Sequence, residues 1–285
     1  NGWTKAWSGL HQDYARDPGQ NGETGGGAES LAIGDDGKIY TVVAHSLNGS
    51  NNTFGTVLLK IEPNDGSIIW QKAFGFFNDT KQLVRHGVEP SGLAVANGKI
   101  YVTGKGDGGT LFAAFSTADA SVLFHHTYAT NQGSPSSNRG HTIAVHGDTA
   151  YIGGWVNGRG MLLKFNGLNA DTPTVDWGKY INMTIGGHVY SIDTDGDGNA
   201  YLALDRRGAN TAFSAMRINA DGAVAWAKTY NRNGTGQNDN ANVIRVHGDK
   251  VMMGGRIGLV SGDLDYDGTK GDGLILQMAA ATGEF

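Results

Sequence analysis

The chain has 285 residues, 27 acidic and 22 basic side chains for a formal net charge of −5, and no cysteine. Disulfides, thiolate catalysis and Cys-ligated zinc or iron–sulfur centres are therefore excluded. The mild negative balance makes nucleic acid a poor partner. No apolar run approaches the roughly 18 residues needed to insert as a membrane-spanning helix.

Read from the start, one short motif returns five times: aromatic, any residue, Lys or His, any residue, aromatic. It is Trp3-Thr-Lys5-Ala-Trp7, then Trp70-Gln-Lys72-Ala-Phe74, then Phe124-His-His126-Thr-Tyr128. The fourth copy, Trp177-Gly-Lys179-Tyr180, is one residue shorter, and the fifth is Trp226-Ala-Lys228-Thr-Tyr230. Alternating large side chains predict a strand with one buried face. The steps between leading aromatics are 67, 54, 53 and 49 residues, and the step from Trp226 through the chain end to Trp3 is 62. That last step is of the same size as the others, as a circular repeat requires.

Between the aromatic strands each repeat carries the same parts. A first strand is predicted at Leu31–Ile33, Leu93–Val95, Ile143–Val145, Tyr190–Ile192 and Ile244–Val246. A Gly, Asn or Asp turn follows, at Asp35–Gly37, Asn97-Gly98, Gly147-Asp148, Asp197–Asn199 and Gly248-Asp249. Such residues accept positive φ and close tight hairpins. Second strands are predicted at Ile39–Val43, Ile100–Thr103, Ala150–Ile152, Ala200–Ala203 and Val251–Met253. Third strands follow at Thr56–Lys60, Thr110–Ala114, Met161–Lys164, Ala212–Met216 and Gly273–Gln277.

The third-strand, Asp-Gly turn and Trp pattern (Asp65-Gly66 before Trp70; Asp221-Gly222 before Trp226) resembles bacterial β-propeller repeats and is similar to the pyrroloquinoline-quinone-type propeller repeat. The expected fold is all-β: a single five-bladed β-propeller of four-stranded antiparallel blades. The blades are expected near 27–74, 88–128, 139–180, 188–230 and 240–285, with residues 1–7 as the outer strand of the last one. Closing the ring in this way removes an exposed edge. The aromatic motif itself is expected to be outer-strand packing.

In propellers the face bearing the connections into the innermost strand and out of the second strand usually carries function, which is an expectation by analogy of fold. Aligning the repeats places Glu29, Ser91, His141, His188 and Asn242 just before the inner strand. It places Ala44, Lys105, Trp155, Asp205 and Arg256 at the exits of the second strand. Unlike residues at equivalent positions point to a binding face, and the expected ligand-binding set is Glu29, Lys105, His141, Trp155, His188, Asp205 and Arg256. Trp155 stands outside the fourth-strand motif, which makes it the expected stacking platform for a sugar or planar ligand. Neutral imidazoles at His141 and His188 suit a transition metal.

Two acidic runs carry alternate carboxylates before a glycine: Asp193, Asp195, Asp197 with Asn199, and Asp263, Asp265, Asp267 with Asp272. This spacing lets a tight loop wrap several oxygens around calcium, although the ninth position, normally acidic, is Tyr201 in one and Gly271 in the other. No GxSxG or HExxH motif occurs. The expectation is a secreted or cell-surface, non-enzymatic binding propeller that presents its channel mouth to a glycan or cell-surface partner, with calcium-stabilised loops. One alternative is an enzyme similar to five-bladed glycoside hydrolases, using Glu29 and Glu89 with His141 or His188 as base. The other is a transition-metal protein built on His141 and His188.

Overall fold

The computed structural model describes residues 27–46, 54–74, 89–106, 109–129, 138–170, 172–181, 187–205, 213–230, 240–258 and 271–284. The segment 1–7, expected to close the last blade, lies outside them. All regular structure described is β. The first four strands, β1 (Gly27–Ile33), β2 (Ile39–Ser46), β3 (Phe54–Ile61) and β4 (Ile68–Phe74), form one meandering sheet. The second sheet is β5 (Glu89–Ala96), β6 (Lys99–Gly106), β7 (Gly109–Ser116) and β8 (Val122–Tyr128). The third is β9 (Asn138–His146), β10 (Thr149–Val156), β11 (Arg159–Asn166) and β12 (Thr174–Ile181). The fourth is β13 (His188–Thr194), β14 (Ala200–Asp205), β15 (Phe213–Ile218) and β16 (Val224–Tyr230). The last has three described strands, β17 (Asn240–His247), β18 (Lys250–Gly258) and β19 (Gly271–Ala279).

Two compact units divide the chain, residues 1–140 and 141–285. In the first, the sheet β1–β4 packs on β5–β8 through Tyr40, Val42 and Leu58 against Leu93, Ile100, Val102 and Leu111. In the second, β9–β12 packs on β13–β16 through Tyr151, Leu162, Val189 and Leu202. The sheet β13–β16 packs in turn on β17–β19 through Tyr201, Phe213, Ile244 and Met278.

The repeated aromatics are the clasp between neighbouring sheets. Tyr40, Tyr101, Tyr151 and Tyr201 stand at one position of successive second strands, and each is at most 1% exposed. Three of them lie tilted against the leading Trp of their own sheet: Tyr40 on Trp70, Tyr151 on Trp177 and Tyr201 on Trp226, with centroids 6.0–6.1 Å apart. The indole then reaches across. Trp70 Nε1 donates to the Thr117 carbonyl at 3.3 Å, and Trp226 Nε1 to the Ala280 carbonyl at 2.9 Å. Third-strand lysines do the same work, Lys60 Nζ donating to Thr117 O and Lys164 Nζ to Ala220 O. These acceptors sit at the same place in the turn after each third strand. A buried indole N–H favours an acceptor, and Trp70 and Trp226 have one, whereas the buried Trp177 Nε1 makes no such bond.

Those turns are Asx turns. Asp65, Asp119 and Asp221 each accept, through Oδ1, the amide two residues on. The residue after each aspartate has positive φ: Gly66 (70°), Ala120 (55°) and Gly222 (88°). Ala120 therefore carries a Cβ in a conformation that favours glycine.

Register corrects one alignment. The ladder slips by one residue between Ala28 and Ser30, Pro90 and Gly92, Val189 and Ser191, and Ala241 and Val243. These four first strands thus carry a β-bulge two residues before a Leu or Ile, which is buried in three of them (Leu93, Ile192 and Ile244) and exposed at Leu31. The bulged residues are Glu29, Ser91, Tyr190 and Asn242. In the fourth repeat the core residue is Ile192, so the strand predicted at Tyr190–Ile192 is shifted by two, and Tyr190 replaces His188 in the series. The run Gly-Gly-His188-Val-Tyr190-Ser-Ile192 holds two aromatic positions in alternation, and sequence alignment chose the wrong one.

Candidate functional site

The bulge end of the second unit gathers four rings. His141 lies on β9 and Trp155 near the end of β10; His188 opens β13, with Tyr190 two residues later. His188 is 2% exposed, and the other three are half-buried. The Trp155 and His188 rings stack with centroids 5.0 Å apart and planes 20° apart. His188 and His141 also lie nearly parallel, at 5.7 Å and 24°. Tyr190 is 5.6 Å from His141 and 5.7 Å from His188.

Local sequence explains this arrangement. Gly153 lies two residues before Trp155, and a Cβ there would come within 2.7 Å of Ile192 Cδ1 and closer still to Val189. Glycine at that position lets β13 approach β10, which brings His188 onto the indole. Gly160 pairs with Trp155 across the β10–β11 ladder, so no side chain shares its face from the directly opposite position on β11. Asn157 and Gly158, both at positive φ, close β10 to β11 in two residues. This short hairpin leaves little of its own chain beside the indole. One face of Trp155 is backed by His188, and the residue remains partly exposed.

The remaining expected residues fall as follows. Asp205 is directly opposite His188 in the ladder, Arg256 opposite Asn240, and Asp272 opposite Ile257. Glu29 is the bulged residue of β1. The side chains of these four lie outside the described part. Lys105 is half-buried on β6, opposite Glu89 and Thr110, in the first unit. It is not a member of the four-ring group. Asp263, Asp265 and Asp267 lie outside the described residues.

The first acidic run is built into the turn that follows β13. Asp195 Oδ1 accepts from the amides of Asp197 and Asn199 and from Asn199 Nδ2, at 2.9–3.1 Å. Its Oδ2 accepts from Asn199 Nδ2 and from the Tyr201 hydroxyl. Burial pushes the Asp195 pKa up, but these hydrogen bonds outweigh it and hold the carboxyl below its ordinary value. The same contact works in reverse on Tyr201. Burial first, then the bond to Asp195, raises its pKa to about 12. Asp193 reaches sideways: its Oδ2 accepts from the Val246 amide of the next sheet at 2.9 Å. Beside it, Ser191 Oγ accepts from the Ile244 amide, as Ser30 Oγ accepts from the Leu93 amide in the first unit. These bonds occupy first-strand amides that their own ladders leave open. Among the described residues no group of three or more His, Cys, Asp or Glu converges in a way that holds a metal ion.

No family model and no curated protein matches the sequence. Solved structures do match its fold. The quinohemoprotein alcohol dehydrogenase of Comamonas testosteroni is similar at a TM-score of 0.50 and 15% identity, over 91% of this chain and 42% of that one. The present chain thus spans less than half of that protein. BamB from Moraxella catarrhalis gives a TM-score of 0.39 and 12% identity over 79% and 82% of the two chains. Domains 1–2 of Drosophila semaphorin 1b give 0.47 and 10% over 90% and 55%. The likeness to the dehydrogenase concerns the fold alone. With five antiparallel sheets it supports a β-propeller repeat architecture.

Proposed function

We propose that the protein is a non-enzymatic binding propeller, secreted or at the cell surface, whose bulge end takes a glycan. The observation that carries this reading is Trp155, an indole backed on one face by His188 and half-buried at a strand end where its hairpin is short and its neighbour on β11 is glycine. A rigid aromatic face with polar groups around it suits the apolar face of a sugar ring. A glycan array followed by calorimetry tests this. Binding without turnover, abolished in Trp155→Ala, is expected; an empty array in the presence of calcium would count against the proposal.

Two further parts of this reading rest on sequence pattern. Calcium is proposed to stiffen the acidic runs, and titration of the chelator-treated protein with Ca2+ tests it, with a melting temperature that does not respond as the contrary result. Residues 3–7 are proposed to supply the fourth strand of the fifth blade. Support comes from the Trp3-Thr-Lys5-Ala-Trp7 match to the other fourth strands and from β19, which has no fourth-strand partner among the described residues. Deleting residues 1–7 is expected to lower the melting temperature, and an unchanged melt would contradict this closure.

A further inference from the structure

We infer that the outer edge of β8 pairs with the same edge of a second copy of this chain, antiparallel and centred on His126. The inference does not depend on sugar binding. β4, β8, β12 and β16 are each the last strand of a sheet, and no described strand lies beyond them. Such an edge presents open amides and carbonyls, and proteins commonly blunt it with charge, lysine above all. After the ladder irregularity near its start, each of these strands has a regular stretch of five residues that opens on the leading aromatic: Trp70–Phe74, Phe124–Tyr128, Trp177–Ile181 and Trp226–Tyr230. The middle residue is Lys72, Lys179 or Lys228 in three of them and His126 in β8. A two-fold axis through the middle of such a stretch sets the middle residue against its own copy. Three of the strands would then place two lysines directly opposite each other, which destabilises a pair. β8 would place two imidazoles there, and both can be neutral.

The rest of β8 suits this pairing. Its sequence, Val-Leu-Phe-His-His-Thr-Tyr, holds no Lys, Arg, Asp or Glu, whereas β12 adds Asp176 to its lysine. Phe124, His126 and Tyr128 form a row of rings along the strand, with successive centroids 6.1 and 6.2 Å apart. Phe112 of β7 holds Phe124 edge-on at 5.0 Å. In the two-fold register Phe124 stands opposite Tyr128 of the second copy, and His125 opposite its Thr127. Aromatic cross-strand pairs are among the stabilising ones. At the start of the strand Val122 and Leu123 are 58% and 45% exposed, so the edge is apolar there as well as uncharged. A pairing of five residues is small, so the association is weak and depends on concentration.

Sedimentation equilibrium of the full chain at neutral pH, over a range of concentrations, tests this. Wild type is expected to pass from monomer to dimer and no further. His126→Lys restores the residue that the other three outer strands carry, so it should melt as wild type does, yet it is expected to weaken dimerisation by about tenfold or more. Uncharged His126→Gln should still dimerise. Trp155→Ala should dimerise as wild type does even where it loses sugar, which separates this inference from the glycan reading. A single thiol then locates the edge, since the chain has no cysteine. A residue on the two-fold axis meets its own copy at a Cα separation of about 4.5–5.5 Å, within disulfide range. His126→Cys is therefore expected to give a disulfide-linked dimer on mild oxidation, and Lys72→Cys, at the same place on β4, to stay monomeric. This pair of variants decides the matter if His126→Lys does not fold. A chain that stays monomeric throughout, a dimer indifferent to His126→Lys, or cross-linking no greater in His126→Cys than in Lys72→Cys would overturn the inference.

Discussion

The two ends of the sheets follow different rules. At the turn end, each feature recurs: an Asx turn, a residue at positive φ, a buried second-strand tyrosine and an indole or lysine reaching the next sheet. At the bulge end the backbone recurs while the side chains do not, and the bulged positions read Glu29, Ser91, Tyr190 and Asn242. Repetition marks what every sheet needs in order to pack. Variation on a repeated backbone marks what only one place needs, and bulges are a common means of re-aiming side chains at functional sites.

Removing a tryptophan from each end separates the two most sharply. Trp226→Ala deletes an indole that is 8% exposed and its bond to Ala280 O, and is expected to cost about 3–5 kcal/mol in denaturant unfolding. Trp155→Ala removes a half-buried ring and should cost about 1–2 kcal/mol. Equal losses would erase the distinction. The buried tyrosines come next. Burial raises Tyr151 to about 12, with Asp176 and Asp195 adding to it, and Tyr201 also stands at about 12. Both lie above the ordinary value near 10, so the folded state holds their protons more tightly. That stability is complete below about pH 10 and is lost as pH rises toward 12, by roughly 2–3 kcal/mol for each group. Tyr151→Phe should flatten the alkaline limb of the stability curve, and an unaltered limb would show that Tyr151 does not set it.

Asp195 acts at the other extreme. Its carboxyl is held below its ordinary value, so its contribution is present above about pH 4 and lost as pH falls through the lower folded-state value. Asp195→Asn is expected to cost about 1–3 kcal/mol at neutral pH and to flatten the acid limb. The smallest expected effect is a gain. Ala120→Gly relieves a Cβ at φ 55° and should stabilise by about 0.5–1 kcal/mol after the added flexibility of the unfolded chain is counted. A loss instead would indicate that the 2%-exposed Ala120 methyl contributes more by packing than it costs in strain.

Legibility in the sequence follows the same division. The Trp70 and Trp226 motifs, the Asp-Gly turns and the second-strand tyrosines repeat, so alternation and turn chemistry reveal them. A bulge leaves no local signature, which is why His188 was aligned where Tyr190 belongs. Nor does sequence show that Asp195 turns its oxygens onto its own hairpin while Asp193 crosses to the Val246 amide. Alternate carboxylates look alike until register assigns each to a face. His141, Trp155 and His188 were identifiable one by one as unlike residues on equivalent positions. Their stacking depends on the close approach permitted by Gly153, which only packing reveals.

The central claim is that the Trp155 end binds while the opposite end holds the fold. Calorimetric titration of wild type and Trp155→Ala with the strongest array glycan, each checked by its melting curve, addresses it most directly. The account predicts saturable binding by wild type and none by a variant that still melts cooperatively. Undiminished binding by Trp155→Ala would contradict it.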